Sequence, residues 1–245
     1  MKHSQPRGRN GIVFFLLVLP IFWITGLRAE ESKPDLPKLS PQQTIDMILS
    51  RVAKTQRGLR TMKAEFTMEK KMALLASPVL AEGILYITAP DKIYWEVKEP
   101  IANTLIVNGP TLWMYYPTLR QVDKVDISGK QKMLMRYVGM NEEGAILKEN
   151  YRIQLLNSPD EKGIFLLELL PKANRMSKRV SKVRVWVDSK TWFLTRIDLW
   201  EPNGDYSSVR LKNVKTNGPV SDSVYDFRPP PGTVINQPLG PGPSR

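Results

Sequence analysis

The stretch Glu82–Pro117, EGILYITAPDKIYWEVKEPIANTLIVNGPTLWMYYP, leaves this chain few folding options. It holds four short runs rich in β-branched and aromatic residues, separated by nothing longer than a turn. Gly83–Ala89 stops at Pro90-Asp91. Ile93–Lys98 places Ile93, Trp95 and Val97 on one side and Tyr94, Glu96 and Lys98 on the other, and stops at Pro100. Thr104–Val107 is apolar, Asn108-Gly109-Pro110 turns the chain, and Leu112–Tyr116 is aromatic-rich. Such runs bounded by Pro, Gly, Asn and Asp are strands on tight connections. Parallel neighbours need long crossovers, so these strands form an antiparallel meander.

The same vocabulary continues on both sides. Ser40-Pro41-Gln42-Gln43 opens a helix with a capping serine, a proline at the first helical position and a glutamine that completes a capping box. Ile45, Ile48, Leu49, Val52 and Gln56 recur at helical spacing, and Gly58 caps the end. In Arg60–Met72, Met62, Ala64, Phe66 and Met68 alternate with Lys63, Glu65, Thr67 and Glu69, a strand with one dry face. Lys70-Lys71 reads as a bulge or a strand end. Arg120–Ile127 is a further strand. Short helical segments are expected at Lys130–Val138 and Asn141–Glu149. Strands resume at Tyr151–Leu156, Ile164–Leu170, Ser181–Val187, Trp192–Trp200 and Tyr206–Val214, the last two joined through Asn203-Gly204. Ten or so antiparallel strands with a few helices, and no βαβ rhythm, make one mainly β domain.

Before this domain, Lys2, Arg7 and Arg9 precede the apolar run Gly11–Leu27, and Ala29 suits a cleavage site. Residues 1–29 therefore read as a secretory signal, with an uncleaved membrane anchor as the alternative. Seventeen residues interrupted by Pro20 sit at the lower limit of a span, which needs ~17–25 residues. Residues 30–41 are a linker, 42–235 the domain, and 236–245 a disordered Pro/Gly-rich tail; the proline-rich stretch 229–245 as a whole reads as extended and disordered. Cysteine is absent, so an exported chain of this composition uses no disulfide and offers no thiol for lipidation. The net charge is +12; residues 1–28 hold four Lys/Arg and no acid, which leaves +8 for the rest. That balance is compatible with solubility and with transient contact at a membrane surface, and export argues against nucleic acid.

Chemistry is scarce. The one histidine is His3, inside the leader. Without His or Cys, the commonest general base, the thiol nucleophile and the usual transition-metal ligands are missing. No P-loop, G-x-S-x-G or H-E-x-x-H occurs. The acidic pairs Asp123/Asp126, near a strand end, and Glu142/Glu143, at a helix start, both read as solvated charge. No catalytic residue, metal or cofactor is expected. Apolar residues, by contrast, exceed what a two-sided sheet needs. Gly83–Ala89, Leu105–Val107, Leu112–Tyr116 and Ile164–Leu170 are apolar on both faces, so either a dense core or a cavity for an apolar ligand is required.

Gly83, Leu85, Ile87 and Pro90, then Trp95 and Pro100, then Val107-Asn108-Gly109, Leu112-Trp113, Tyr115 and Pro117 form an ordered series. With Gln121-Val122, Tyr151 and the closing Phe227, Pro229, Pro231-Gly232, this series resembles the LolA family of outer-membrane lipoprotein carrier proteins over roughly Gln42–Ile235. The resemblance implies an incomplete antiparallel β-barrel covered by an N-terminal helix and short lid helices. It implies a periplasmic monomer that shields the acyl chains of lipoproteins between an inner-membrane releasing complex and an outer-membrane receptor, without covalent chemistry. Met62, Ala64, Phe66, Met68, Leu85, Ile87, Ile93, Trp95, Val97, Leu105, Val107, Trp113 and Tyr115 are the candidates for lining the lipid cavity, and Met133, Leu134 and Tyr137 for the lid. Ala89 and Tyr94 stand where relatives carry arginines, the first of which latches the lid. A lipid-binding or envelope-sensing protein of the same fold with another apolar ligand is the alternative.

Overall fold

A computed structural model of the chain describes residues 39–130, 144–157, 163–172 and 174–237. The expected leader, the expected lid segment with Met133, Leu134 and Tyr137, the pair Glu142/Glu143 and residues 238–245 lie outside them.

Helix α1 (Pro41–Arg57) starts as its sequence dictates. The Ser40 hydroxyl accepts the Gln43 N–H at 3.3 Å, and the Gln43 side chain accepts the Ser40 N–H at 2.9 Å. Ile45, Ile48, Leu49 and Val52 are buried on one stripe, worth about 1.5–3 kcal/mol per fully buried side chain. The Gly58 N–H closes the helix on the Thr55 carbonyl.

Twelve strands follow: β1 (Thr61–Lys71), β2 (Val79–Thr88), β3 (Lys92–Glu99), β4 (Asn103–Asn108), β5 (Thr111–Tyr116), β6 (Gln121–Asp126), β7 (Tyr151–Asn157), β8 (Ile164–Pro171), β9 (Lys182–Asp188), β10 (Leu194–Trp200), β11 (Tyr206–Thr216) and β12 (Val234–Asn236). Two short helices, α2 (Gly144–Asn150) and α3 (Asn174–Ser177), sit between strands. The strands form one open sheet in the order β12-β6-β5-β4-β3-β2-β1-β11-β10-β9-β8-β7. Its edges β12 and β7 do not pair, so the barrel is incomplete. Every neighbouring pair is antiparallel except β12 and β6, which are parallel. Helix α1 lies against β7 and α2 and shares a core cluster with residues from β1–β6, β8, β9 and β11. An Asp46–Lys148 ion pair of 2.6 Å ties α1 to α2.

Three local expectations differ from the structure. β1 continues through Lys70-Lys71 in regular register; the irregularity falls opposite Lys63–Glu65, in β11. There Asn213 takes φ +51, a left-handed conformation that asparagine tolerates, and its amide donates to Glu65 at 2.8 Å. Trp192 does not begin β10. Asp188 accepts from the Lys190 and Thr191 N–H groups at 2.8 Å each, which wraps the chain into a turn and leaves Trp192 at φ +60. The Pro-rich end is also not wholly unstructured. Val234–Asn236 forms β12, held as the Val234 N–H donates to the Arg120 carbonyl and Asn236 to Asp123.

Candidate functional site

Alternation along each strand divides the sheet into an inner face, shared with α1, and an outer face. On the inner face the register builds rows that cross many strands. One row runs Leu155–Leu167–Val185–Ile197–Val209–Met68–Ala81, seven apolar residues on seven consecutive strands from β7 to β2. Its neighbour runs Ile153–Leu169–Val183–Leu199 and then turns polar at Ser207 and Lys70. On the other half of the sheet, Ala64–Leu85–Trp95–Leu105–Met114 is a third row.

Eleven of the expected cavity residues therefore share this face: Met62, Ala64, Phe66, Met68, Leu85, Ile87, Ile93, Trp95, Val97, Leu105 and Val107. All but Met68 are fully buried. At their centre Phe66 stacks on Trp95 with ring centroids 4.0 Å apart. Gly83 lies directly across from Phe66 in the register, and its missing side chain is what admits the ring. A Cβ there would sit 2.5 Å from the Phe66 ring and 1.8 Å from the Glu96 carbonyl oxygen.

Trp113 and Tyr115 are not part of this face. They alternate with Leu112 and Met114, so they point outward, where the Phe227 ring packs at 5.6 Å and 5.4 Å from them. The short turn Asp222–Tyr225 completes that cover. Tyr225 is buried, its hydroxyl 2.8 Å from the Thr88 hydroxyl, and burial pushes its pKa up to about 12. This outer layer explains why β4 and β5 are apolar on both sides. Tyr94 also faces outward, edge-on to Tyr86 at 5.8 Å, whereas Ala89 packs against the core. Elsewhere the outer face is charged: Arg184 meets Glu168 at 2.8 Å, and Arg196 meets Asp198 at 2.6 Å while stacking over Trp186.

The inner faces of β7, β9 and β10 contribute Ile153, Leu155, Val183, Leu194 and Ile197, which are only partly buried and pack against the core cluster. None was among the cavity candidates. Their signal was present in the alternation Val183, Val185, Val187, but a 245-residue chain gives no pairing order for strands so far from β1.

Four buried side-chain polar atoms among the described residues lack a hydrogen-bond partner: Trp95 Nε1, Asn103 Oδ1, Glu201 Oε1 and Ser207 Oγ. The register places Trp95, Asn103 and Ser207 on the inner face, and Glu201 follows Leu199 at strand spacing. Buried polar groups are normally satisfied, so these four atoms mark the inner face as the place where partners outside the chain would bond. Burial raises the Glu201 pKa to about 6, against the opposing pull of Lys70. Lys70 is shifted down by the same loss of water.

Asp123/Asp126, the one of the two expected acidic pairs that falls among the described residues, does not converge on one point. Asp123 and Asp126 lie three apart on β6 and so on opposite sides of the strand. The Ser128 hydroxyl and then the Ser128 N–H, at 2.8 Å, donate to the Asp126 carboxylate and hold its pKa below the usual range; Asp123 accepts from Asn236 at 3.0 Å. Among the described residues no group of three or more His, Cys, Asp or Glu is arranged to hold a metal, and no helix is long and apolar enough to cross a membrane.

Comparison with known proteins agrees with this geometry. Outer-membrane lipoprotein carrier proteins of Dechloromonas aromatica and Methylococcus capsulatus are each 23% identical to the chain, over 82% and 90% of its length and 90% and 96% of theirs. An uncharacterised conserved protein from Thermus thermophilus, 11% identical, shares the fold with a TM-score of 0.53, covering 80% of this chain and all of that one. Residues 57–228 match the family model described as outer membrane lipoprotein carrier protein LolA, so the chain belongs to the LolA family.

Proposed function

We propose that this protein is a periplasmic carrier that shields the acyl chains of lipoproteins on the inner face of its open sheet and moves them from the inner to the outer membrane. The continuous apolar row from Leu155 to Ala81 carries this reading. Seven strands spaced ~4.8 Å give it a length of roughly 29 Å, about twice the ~15 Å occupied by one leaflet's hydrocarbon. The row is longer than one extended acyl chain of a leaflet. The partly buried Leu155, Ile197 and Met68 leave it less than fully covered by protein. Family membership and the carrier names of the relatives support the same assignment.

Energetics fit a carrier better than a permanent binder. A chain of 16 carbons buried at about 0.8 kcal/mol per CH₂ would gain over ~10 kcal/mol, too tight to release quickly. The inner face is already largely buried against α1 and its own neighbours. Lipid must displace those contacts, which offsets part of the gain and keeps transfer reversible. Met133, Leu134 and Tyr137 are the proposed exchangeable cover. The partners are then acylated lipoproteins, a releasing complex at the inner membrane and a receptor at the outer membrane, with the carrier itself a monomer.

Depletion of the protein from cells tests the assignment: lipoproteins bound for the outer membrane accumulate at the inner membrane. Normal sorting after depletion contradicts it. Lipid extracted from the isolated protein distinguishes a lipoprotein carrier from a carrier of another apolar ligand.

A further inference from the structure

Apolar side chains exposed on this protein are not scattered. Eight large ones are exposed among the described residues, and seven lie at one end of the sheet. Strands β1, β3 and β5 finish at that end and β2, β4 and β6 begin there. Leu74 and Leu75 occupy the β1–β2 connection, Ile101 the β3–β4 turn and Leu119 the β5–β6 turn. Leu80, Val234 and Ile235 flank these tips at the first residues of β2 and β12. The eighth, Leu156, is at the far end of β7.

The β1–β2 tip is held out rather than left loose. The Ala73 N–H donates to Asp205 across the neighbouring turn at 2.9 Å, and the Leu75 N–H closes on the Met72 carbonyl at 2.9 Å. Leu74 is thereby presented with 97% of its surface exposed. A leucine fixed in water at the apex of an anchored turn gains nothing from the fold. It gains only when it enters an apolar phase.

Cations accompany the tips. Lys98 and Arg120 flank the β3–β4 and β5–β6 turns, and Lys172, Lys178 and Arg179 occupy the β8–β9 connection at the same end. Glu82, Glu99 and Glu149 are the exposed acids at this end, with Glu69 and Asp205 partly exposed; Lys71 adds a further exposed cation. An end that combines protruding apolar tips with excess positive charge matches an anionic bilayer surface, where headgroups attract the cations and the apolar tips reach the acyl boundary. The polar end of the inner face, at Ser207 and Lys70, lies at this same end of the strands.

We infer that the strand-end rim carrying Leu74, Leu75, Ile101 and Leu119 docks the protein on anionic phospholipid membranes. It sets the polar end of the inner face against the surface from which an acyl chain leaves or which it enters. This inference rests on the carrier reading for its purpose, but its test contains no lipoprotein, so docking and cargo capture fail independently.

The chain has no cysteine, so single labels are unambiguous. Leu74→Cys and Leu119→Cys, and Leu156→Cys at the far end, are each labelled in the full chain with a polarity-sensitive fluorophore. Each is mixed with phosphatidylcholine vesicles with or without phosphatidylglycerol. The readout is local, so it does not depend on whether residues 1–29 also hold the membrane. The labels at 74 and 119 should shift to an apolar environment with phosphatidylglycerol present, and less so in high salt or with phosphatidylcholine alone; the label at 156 should not. Leu74→Asp with Leu75→Asp should lower the inserted-to-free ratio at the 119 label by about tenfold. Silent rim labels, an equal response at 156, or an equal response to neutral vesicles would overturn the proposal.

Discussion

Replacing Gly83 by alanine adds one methyl group to the middle of β2, and the structure sets its cost. The new Cβ would stand 1.8 Å from the Glu96 carbonyl oxygen and 2.5 Å from the Phe66 ring. Alanine ordinarily stabilises a strand position relative to glycine by roughly 0.5–1 kcal/mol, because the unfolded glycine is freer. Here β2 and β3 must part by more than about 1 Å. The strain belongs to the overpacking class, about 1–3 kcal/mol. Separating the strands also weakens one or two ladder hydrogen bonds at about 1 kcal/mol each. Pushing Phe66 off Trp95 loses another ~0.5–1.5 kcal/mol of ring stacking. The net expectation is a destabilisation of about 3 kcal/mol, a large share of a typical 5–15 kcal/mol. Denaturant unfolding of Gly83→Ala against the parent measures it, and near-ultraviolet dichroism reports the loss of ring order. Because the carbonyl clash is backbone, Gly83→Ala with Phe66→Ala should be less stable than Phe66→Ala alone by at least about 1.5 kcal/mol. A Gly83→Ala protein within ~0.5 kcal/mol of the parent would refute the reasoning that this glycine exists to seat Phe66.

Other expectations follow from the same geometry. Ile197→Asp sets a charge in the middle of the seven-residue apolar row and should weaken binding of an acylated lipopeptide about tenfold or more, whereas Arg152→Ser on the opposite side of β7 should leave it unchanged; titration with a fluorescent lipopeptide reads both. The folded-state pKa of Glu201, near 6, lies above its unfolded value, so its contribution favours the fold below that unfolded value and is lost as pH rises through 6. Glu201→Gln should accordingly gain about 1 kcal/mol at pH 7.5, allowing for screening by solvent, and almost nothing at pH 4.5, by denaturant unfolding at the two pH values. Phe227→Ala uncovers Trp113 and Tyr115 and should cost about 1–2 kcal/mol, with quenching of tryptophan emission by acrylamide rising as Trp113 meets water.

Much of this architecture was legible in the sequence because the strands are local and tightly joined. In β1 to β4 the alternation of Met62, Ala64, Phe66 and of Ile93, Trp95, Val97 names the inner face directly, and the turns force neighbours to pair. Alternation failed where both sides are apolar. Nothing in Leu112–Tyr116 tells Trp113 from Met114, because the cover on the outer side comes from Phe227, more than a hundred residues later. The same long range hid Leu155 and Ile197: their place in the apolar row depends on β1 pairing with β11, a contact between residues far apart in the chain. Asn213 illustrates a different limit. Its left-handed backbone moves a bulge from the lysine pair, where composition suggested it, into the partner strand.

Native mass spectrometry of the protein mixed with a triacylated lipopeptide bears most directly on the idea that the inner face carries acyl chains. A one-to-one complex with the intact lipopeptide is expected, absent with the unacylated peptide and diminished in Ile197→Asp. Equal binding of acylated and unacylated peptide, or no complex at all, would contradict it.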